Sequence, residues 1–325
     1  MSQSCPRLLQ FQWNTWSGRQ HNNTLLHALR VINASLTQDG VALLNVGAKI
    51  DNSLWNADPA WELAALAPRA SVIAFEGDTS AWANTKQALV KSTRWRTLTM
   101  RGEGGPRLSS RVRLLNEYVR PSSICTRLLE EDLPRDERLV LMKVDVDSVD
   151  LPLTHAVLRC GWRPRLIYVE FNAYVPYGIH FTALHGASAT YAGDAHHGKS
   201  NLWPCRGASL ALWESTAREY GYSLLTTNGH DAALFVEGSA QSLFGTSASL
   251  WCHAGPVDER GALVRKAWRP RGIYPPAERK PDPRPSANSL AVALEQALRI
   301  IDNRCNATRT PYVARIATSN DTVLT

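Results

Sequence analysis

Leu139-Val-Leu-Met-Lys-Val-Asp145 is an apolar run broken by one lysine and closed by an acid, and it decides the fold. Side chains alternate between the two faces of a strand, so a strand that is apolar on both faces must be covered on both. Parallel sheets flanked by helices provide that cover. Three other runs share the character: Val41-Ala-Leu-Leu-Asn-Val46 ending at Gly47, Ser71-Val-Ile-Ala-Phe75 ending at Glu76-Gly77-Asp78, and Arg165-Leu-Ile-Tyr-Val-Glu-Phe-Asn172.

Helical patterns separate these runs. They span Pro59–Leu66 with its proline in the first turn, Ser80–Leu89 with Ser80 as N-cap, Pro121–Glu131, and Leu151–Cys160 closed by Gly161. A third strand is expected at Trp95–Met100, and Ala208–Tyr220 reads as a helix closed by Gly221. Tyr222–Thr226 and Ala232–Val236 flank Asn228-Gly229, a hairpin signal. This order predicts an α/β, Rossmann-like fold: a mostly parallel sheet with helices on both faces and an antiparallel edge hairpin.

Residues 1–38 read as a lead-in and helix, 39–240 as the α/β domain, and 241–288 as a Pro-rich linker. Residues 289–325 follow as a terminal helix and mobile tail. The 173–206 connection carries no periodicity. Its histidines His180, His185, His196 and His197 read as exposed loop residues.

Hydrophobic residues make up 44% of the 325, enough for a sizeable core and too many for a disordered chain. The net charge is +7, but the 29 arginines and 7 lysines are scattered, so no basic stripe points to nucleic acid. The six cysteines form no C-x-x-C pair and read as thiols, neither a zinc site nor a disulfide framework. No apolar run is long enough to span a membrane, and no secretory leader is recognisable, so a cytoplasmic protein is expected.

Four motifs carry a resemblance over roughly residues 40–240. The first is Leu43-Leu-Asn-Val-Gly-Ala48, the second Val72-Ile-Ala-Phe-Glu-Gly-Asp78, and the third Leu141-Met-Lys-Val-Asp-Val-Asp-Ser-Val-Asp150. The fourth joins Val169-Glu-Phe-Asn172 to Gly207-Ala-Ser-Leu-Ala-Leu212, Gly221-Tyr-Ser-Leu-Leu225 and Asp231-Ala-Ala-Leu-Phe-Val236. Together they resemble the FkbM-like methyltransferase family. Two departures stand out: Asn45 occupies the place of the family's usual acid, and Asp51 stands where a glycine is expected.

The resemblance implies S-adenosylmethionine as cofactor, held by Asn45, Val46, Gly47, Ala48, Glu76, Gly77 and Asp78. Glu76 matches the acid that accepts from both ribose hydroxyls, a role suited to a group with two acceptor oxygens and no donor. Asp145, Asp147, Glu170 and Asn172 fall where catalytic groups collect, at the carboxyl ends of the strands. The implied reaction is O-methylation of a small-molecule or glycan hydroxyl, which needs a general base or a metal to take the proton. The oxygen-rich set suits a divalent cation, although no metal ligand is assigned. The alternatives are a catalytically degenerate binding or scaffold protein, which Asn45 and Asp51 favour, and a nicotinamide-dependent oxidoreductase. The latter lacks its G-x-G-x-x-G after the first strand.

Overall fold

Two-sided burial of the central strands sets the architecture. The computed structural model describes residues 41–50, 58–67, 69–91, 110–146, 149–172, 175, 178–184, 205–227, 232–238, 287–308 and 312–316. The strands in this set are β1 (Ala42–Val46), β2 (Ser71–Phe75), β3 (Val112–Leu115), β4 (Leu139–Val144), β5 (Leu166–Glu170), β6 (Ile179–Ala183), β7 (Tyr222–Thr227), β8 (Ala232–Glu237) and β9 (Tyr312–Ile316). Seven of them form one sheet in the order β3-β2-β1-β4-β5-β8-β7. The strands from β3 to β5 pair in parallel, while β8 runs antiparallel to both β5 and β7. The Rossmann-like sheet and its edge hairpin are therefore as expected. The chain turns back on itself between β1 and β4, the switch point at which open α/β sheets form a crevice.

Each face of β1 and β4 has its own core. Leu43 and Leu141 pack with Trp61 and Leu63 of α1 (Pro59–Leu66) and Leu89 of α2 (Thr79–Lys91). Leu44, Val46, Met142 and Val144 point the other way. They meet Leu128 of α3 (Ile124–Glu130), Val157 of α4 (Asp150–Arg159) and Trp213 of α5 (Leu210–Glu219). Polar caps orient the helices: Asp58 accepts from the amides of Ala60 and Trp61 at the start of α1. At α2 the cap is Asp78 rather than Ser80. Its Oδ1 accepts from the Ala81 amide at 2.8 Å and from the Ser80 hydroxyl at 2.5 Å, so the helix begins one residue early.

Four further expectations change. The third described strand in chain order is Val112–Leu115, at the sheet edge, while Trp95–Met100 lies outside the described residues. As an edge strand β3 is only half-buried and carries Arg113, so its apolar pattern is weak. Residues 312–316, expected in the mobile tail, form β9, which pairs antiparallel with β6. This small sheet packs on α6 (Ala287–Thr308), with Ile179 and Phe181 against Ala297 and Ile301. His180, expected in an exposed loop, is buried within β6.

The fourth correction concerns the cysteines. Cys125–Cys160 and Cys205–Cys305 are disulfides, with Cα separations of 6.2 and 5.4 Å. Their sequence separations of 35 and 100 residues gave no hint of proximity, because only the fold brings the partners together. Cys5 and Cys252 lie outside the described residues. Cross-links closing loops of this length typically contribute about 2–4 kcal/mol each. The double variant Cys205→Ser/Cys305→Ser should lose stability of that order in a urea melt. A thiol-alkylating reagent should leave all four bridged cysteines unlabelled before reduction. Labelling at Cys205 or Cys305 in the untreated native protein would contradict the pairing.

Candidate functional site

The site begins at the turn after β1. The amides of Gly47 and Ala48 both donate to the Phe75 carbonyl, at 3.0 and 3.1 Å, which folds the turn onto β2. On the other side the Asp145 amide donates to the Val46 carbonyl at 3.0 Å. Gly47 has φ +77°, and a Cβ there would lie 1.7 Å from the Asp145 carbonyl oxygen. Glycine is thus required by a left-handed backbone and by the approach of the β4 chain. The close approach that demands glycine here is made by protein backbone. Ala48 is buried, and its carbonyl accepts from Trp61 Nε1 and Thr85 Oγ1.

Beneath the turn lies a buried charge. Lys143 stands beside Asn45 in the β1–β4 register, and its side chain is 3% exposed. Its Nζ reaches the Gly47 carbonyl at 2.5 Å, Asp58 Oδ2 at 3.2 Å and Asp145 Oδ2 at 3.3 Å. Burial pushes the ammonium toward losing its proton, but the Asp145 and Asp58 carboxylates outweigh it and hold the pKa above the ordinary lysine value. Asn45 Nδ2 donates to the same Asp58 Oδ2 at 3.0 Å. Asn45 Oδ1 is buried without a hydrogen-bond partner among the described residues.

Glu76 follows β2 and is 8% exposed. Its Oε1 accepts from the Asp78 amide at 2.9 Å, which leaves Oε2 without a hydrogen bond among the described residues. Burial raises its pKa, opposed by the Asp78 amide bond and by the charge of Lys143. Gly77 lies under the ring of Tyr118, where a Cβ would come within 2.0 Å of the ring carbon Cδ1. Tyr118 remains 36% exposed, so an aromatic face flanks the carboxylate. Asp78 is exposed, and its Oδ1 is engaged in capping α2.

On the far side of β4, one carboxylate oxygen from each of Asp145, Asp150 and Glu170 lies within 4.8 Å of the others. Like charges this close must share a proton, a cation or a neighbouring ammonium. Lys143 already supplies the last to Asp145. Oxygen ligands in this arrangement also suit a hard divalent cation. Asp150 does not cap the helix that follows it. Instead it is the first residue of α4, and its Oδ1 accepts from the Val146 amide at 2.8 Å. Asn172 Nδ2 donates to the Arg206 carbonyl at 2.7 Å and its backbone amide to Ala208, anchoring the segment that leads into α5.

Of the residues expected here, Asn45, Val46, Gly47, Ala48, Glu76 and Gly77 line adjoining strand ends, and Asp145 and Glu170 converge on Asp150. Asp147 lies outside the described residues, as does Asp51. The sequence reading missed Asp58 and Tyr118. Asp58 precedes a proline in the pattern of a helix N-cap, but nothing in that local pattern pairs it with residues on β1 and β4.

No family model and no curated protein matches the chain. Among solved structures, it is similar to the methyltransferase domain of bacterial CtHen1 at 13% identity and TM-score 0.33, covering 67% of this chain and 98% of that one. It is similar also to the magnesium protoporphyrin IX methyltransferase of Synechocystis, with bound S-adenosylhomocysteine, at 9% identity and TM-score 0.34, covering 67% and 84%. A third is the N-terminal domain of EvdMO1, also with S-adenosylhomocysteine, at 10% identity and TM-score 0.34, covering 65% and 79%. Likeness at this level carries no inference about function.

The raised pKa of Glu76 gives a signed prediction. If its carboxylate receives ribose hydroxyls, only the ionised form binds well. Affinity for S-adenosylmethionine is then present above that pKa and falls as pH drops through it. Glu76→Gln should bind more weakly at neutral pH and lose this dependence. An unchanged acid limb in the variant would assign the titration to another group.

Proposed function

We propose that the chain is an S-adenosylmethionine-dependent methyltransferase of FkbM-like type, acting on a hydroxyl of a small molecule or glycan. The observation that carries this reading is Glu76: a nearly buried carboxylate at the switch-point edge, with Oε2 unclaimed by the described protein groups. An open oxygen on an otherwise enclosed carboxylate is free to accept from a ligand, and a ribose diol supplies two donors. Asn45 through Ala48 would border the same ligand, with the Tyr118 ring beside it.

When bound, the cofactor supplies a methyl group already activated on a sulfonium. The protein's part is then mainly positioning and proton removal. Asp145 and Glu170 are the candidate groups for taking the proton of an acceptor hydroxyl, directly or through a divalent cation held with Asp150. Asn172 would act by anchoring the wall of the acceptor side. The substitution of Asn45 for an acid favoured a degenerate relative, but the Asp58 carboxylate reaches the same lysine and weakens that objection. Two disulfides also favour maturation in an oxidising compartment over the expected cytoplasm.

Calorimetric titration with S-adenosylmethionine tests the reading. Wild type should bind, and Glu76→Ala should weaken binding by about 1.5–3 kcal/mol, the scale of lost hydrogen bonds to a charged group. No binding at millimolar ligand would leave the scaffold reading in its place. Once an acceptor is found, Asp145→Asn should melt cooperatively yet lose about 10²–10⁴ in rate. Near-wild-type turnover in that variant would remove Asp145 from the chemistry.

A further inference from the structure

The two carboxylate oxygens of Asp58 face different partners. Oδ1 accepts from the Ala60 amide at 2.8 Å and the Trp61 amide at 3.3 Å, which is the work of a helix cap. Oδ2 accepts from Asn45 Nδ2 at 3.0 Å and lies 3.2 Å from Lys143 Nζ. The side chain is 7% exposed, so this second set of contacts is made out of water. The cap alone explains Oδ1. It does not explain a carboxylate turned onto the one lysine that holds the Gly47 carbonyl.

We infer that Asp58 is a positioning residue of the cofactor site, supplying from the start of α1 the carboxylate that strand β1 lacks at Asn45. The inference rests on the methyltransferase reading for the identity of the ligand. Asn45 and Lys143 are neighbours in register, so an acid at position 45 would meet the ammonium directly. With asparagine there, the lysine would have Asp145 as its remaining anion, and Asp145 would be drawn away from the Glu170 and Asp150 cluster. Asp58 restores the balance: Lys143 sits between two carboxylates and donates to Gly47, while Asn45 points its amide hydrogens at Asp58. A buried ammonium with one partner removed is costly, and its easiest relief is movement toward solvent or loss of a proton. Either would release the carbonyl of Gly47 and loosen the turn between Glu76 and Asp145.

The division of labour makes the claim testable. Asparagine caps helices about as well as aspartate, so Asp58→Asn keeps the cap and removes the negative charge facing Lys143. The double variant Asn45→Asp/Asp58→Asn moves the acid onto the strand and reverses the hydrogen bond between the two side chains. Three proteins are compared by calorimetry with S-adenosylmethionine, by thermal melt, and by hydrogen exchange of the Gly47 and Ala48 amides, which report on the turn that Lys143 holds. Asp58→Asn should bind about ten-fold more weakly or worse, the scale of one lost charge-assisted contact, and its Gly47 and Ala48 amides should exchange faster. The double variant should recover most of both. Wild-type affinity in Asp58→Asn, or a double variant as weak as the single one, would reduce Asp58 to a helix cap. If wild type itself does not bind, the methyltransferase reading fails. Exchange of the Gly47 and Ala48 amides then decides the positioning role, which is lost if Asp58→Asn leaves it unmoved.

Discussion

An ammonium taken out of water must be neutralised and fully hydrogen-bonded, or it destabilises whatever encloses it. Lys143 is that ammonium here, and three elements converge to satisfy it: the turn after β1 through the Gly47 carbonyl, the start of α1 through Asp58, and the end of β4 through Asp145. These are the elements that border the switch point of the sheet. The charge therefore ties the placement of the turn after β1 to the placement of the acid that leads the cluster on the far side of β4. A change at any of the three partners is felt at the other two.

The region beyond β5 has a second source of order. Asn172, just past β5, holds the backbone of Arg206 and Ala208, and Cys205 beside them is bridged to Cys305 in α6. Ser209 adds to this, accepting from the Phe181 amide of β6 and the Leu212 amide of α5. The small β6–β9 sheet is thus joined to the strand ends by covalent and polar links close to Glu170. Ordering this wall by cross-links instead of by a larger apolar interface suits a region whose core, built around Phe181 and Ile301, is small.

Legibility in the sequence followed burial. β1, β2, β4 and β5 are apolar on both faces, and their positions could be read closely from the runs alone. β3 could not, because a four-residue edge strand with half-buried side chains and Arg113 within it leaves little pattern. Ser80 was a reasonable cap, yet Asp78 is the residue that accepts from the Ala81 amide. At the candidate site, Gly47, Glu76, Asp145 and Glu170 were legible as residues at strand ends, which is where the fold puts them. Groups that arrive from elsewhere were not. Asp58 is 13 residues from Asn45, and the contact depends on how α1 lies across the sheet. The disulfides failed for the same reason at longer range. Asp150 shows a subtler limit: an acid at a helix start looks like a cap, and only the fold turns it back to the Val146 amide.

On the proposed function, the edge formed by β1, β2 and β4 holds the nucleoside of S-adenosylmethionine through Glu76. A crystal structure of the protein with S-adenosylhomocysteine tests it most directly. The account predicts the ribose hydroxyls on the Glu76 carboxylate, with the Gly47 turn alongside and Lys143 still between Asp58 and Asp145. Ligand density elsewhere in the molecule, or at this edge without contact to Glu76, would contradict it.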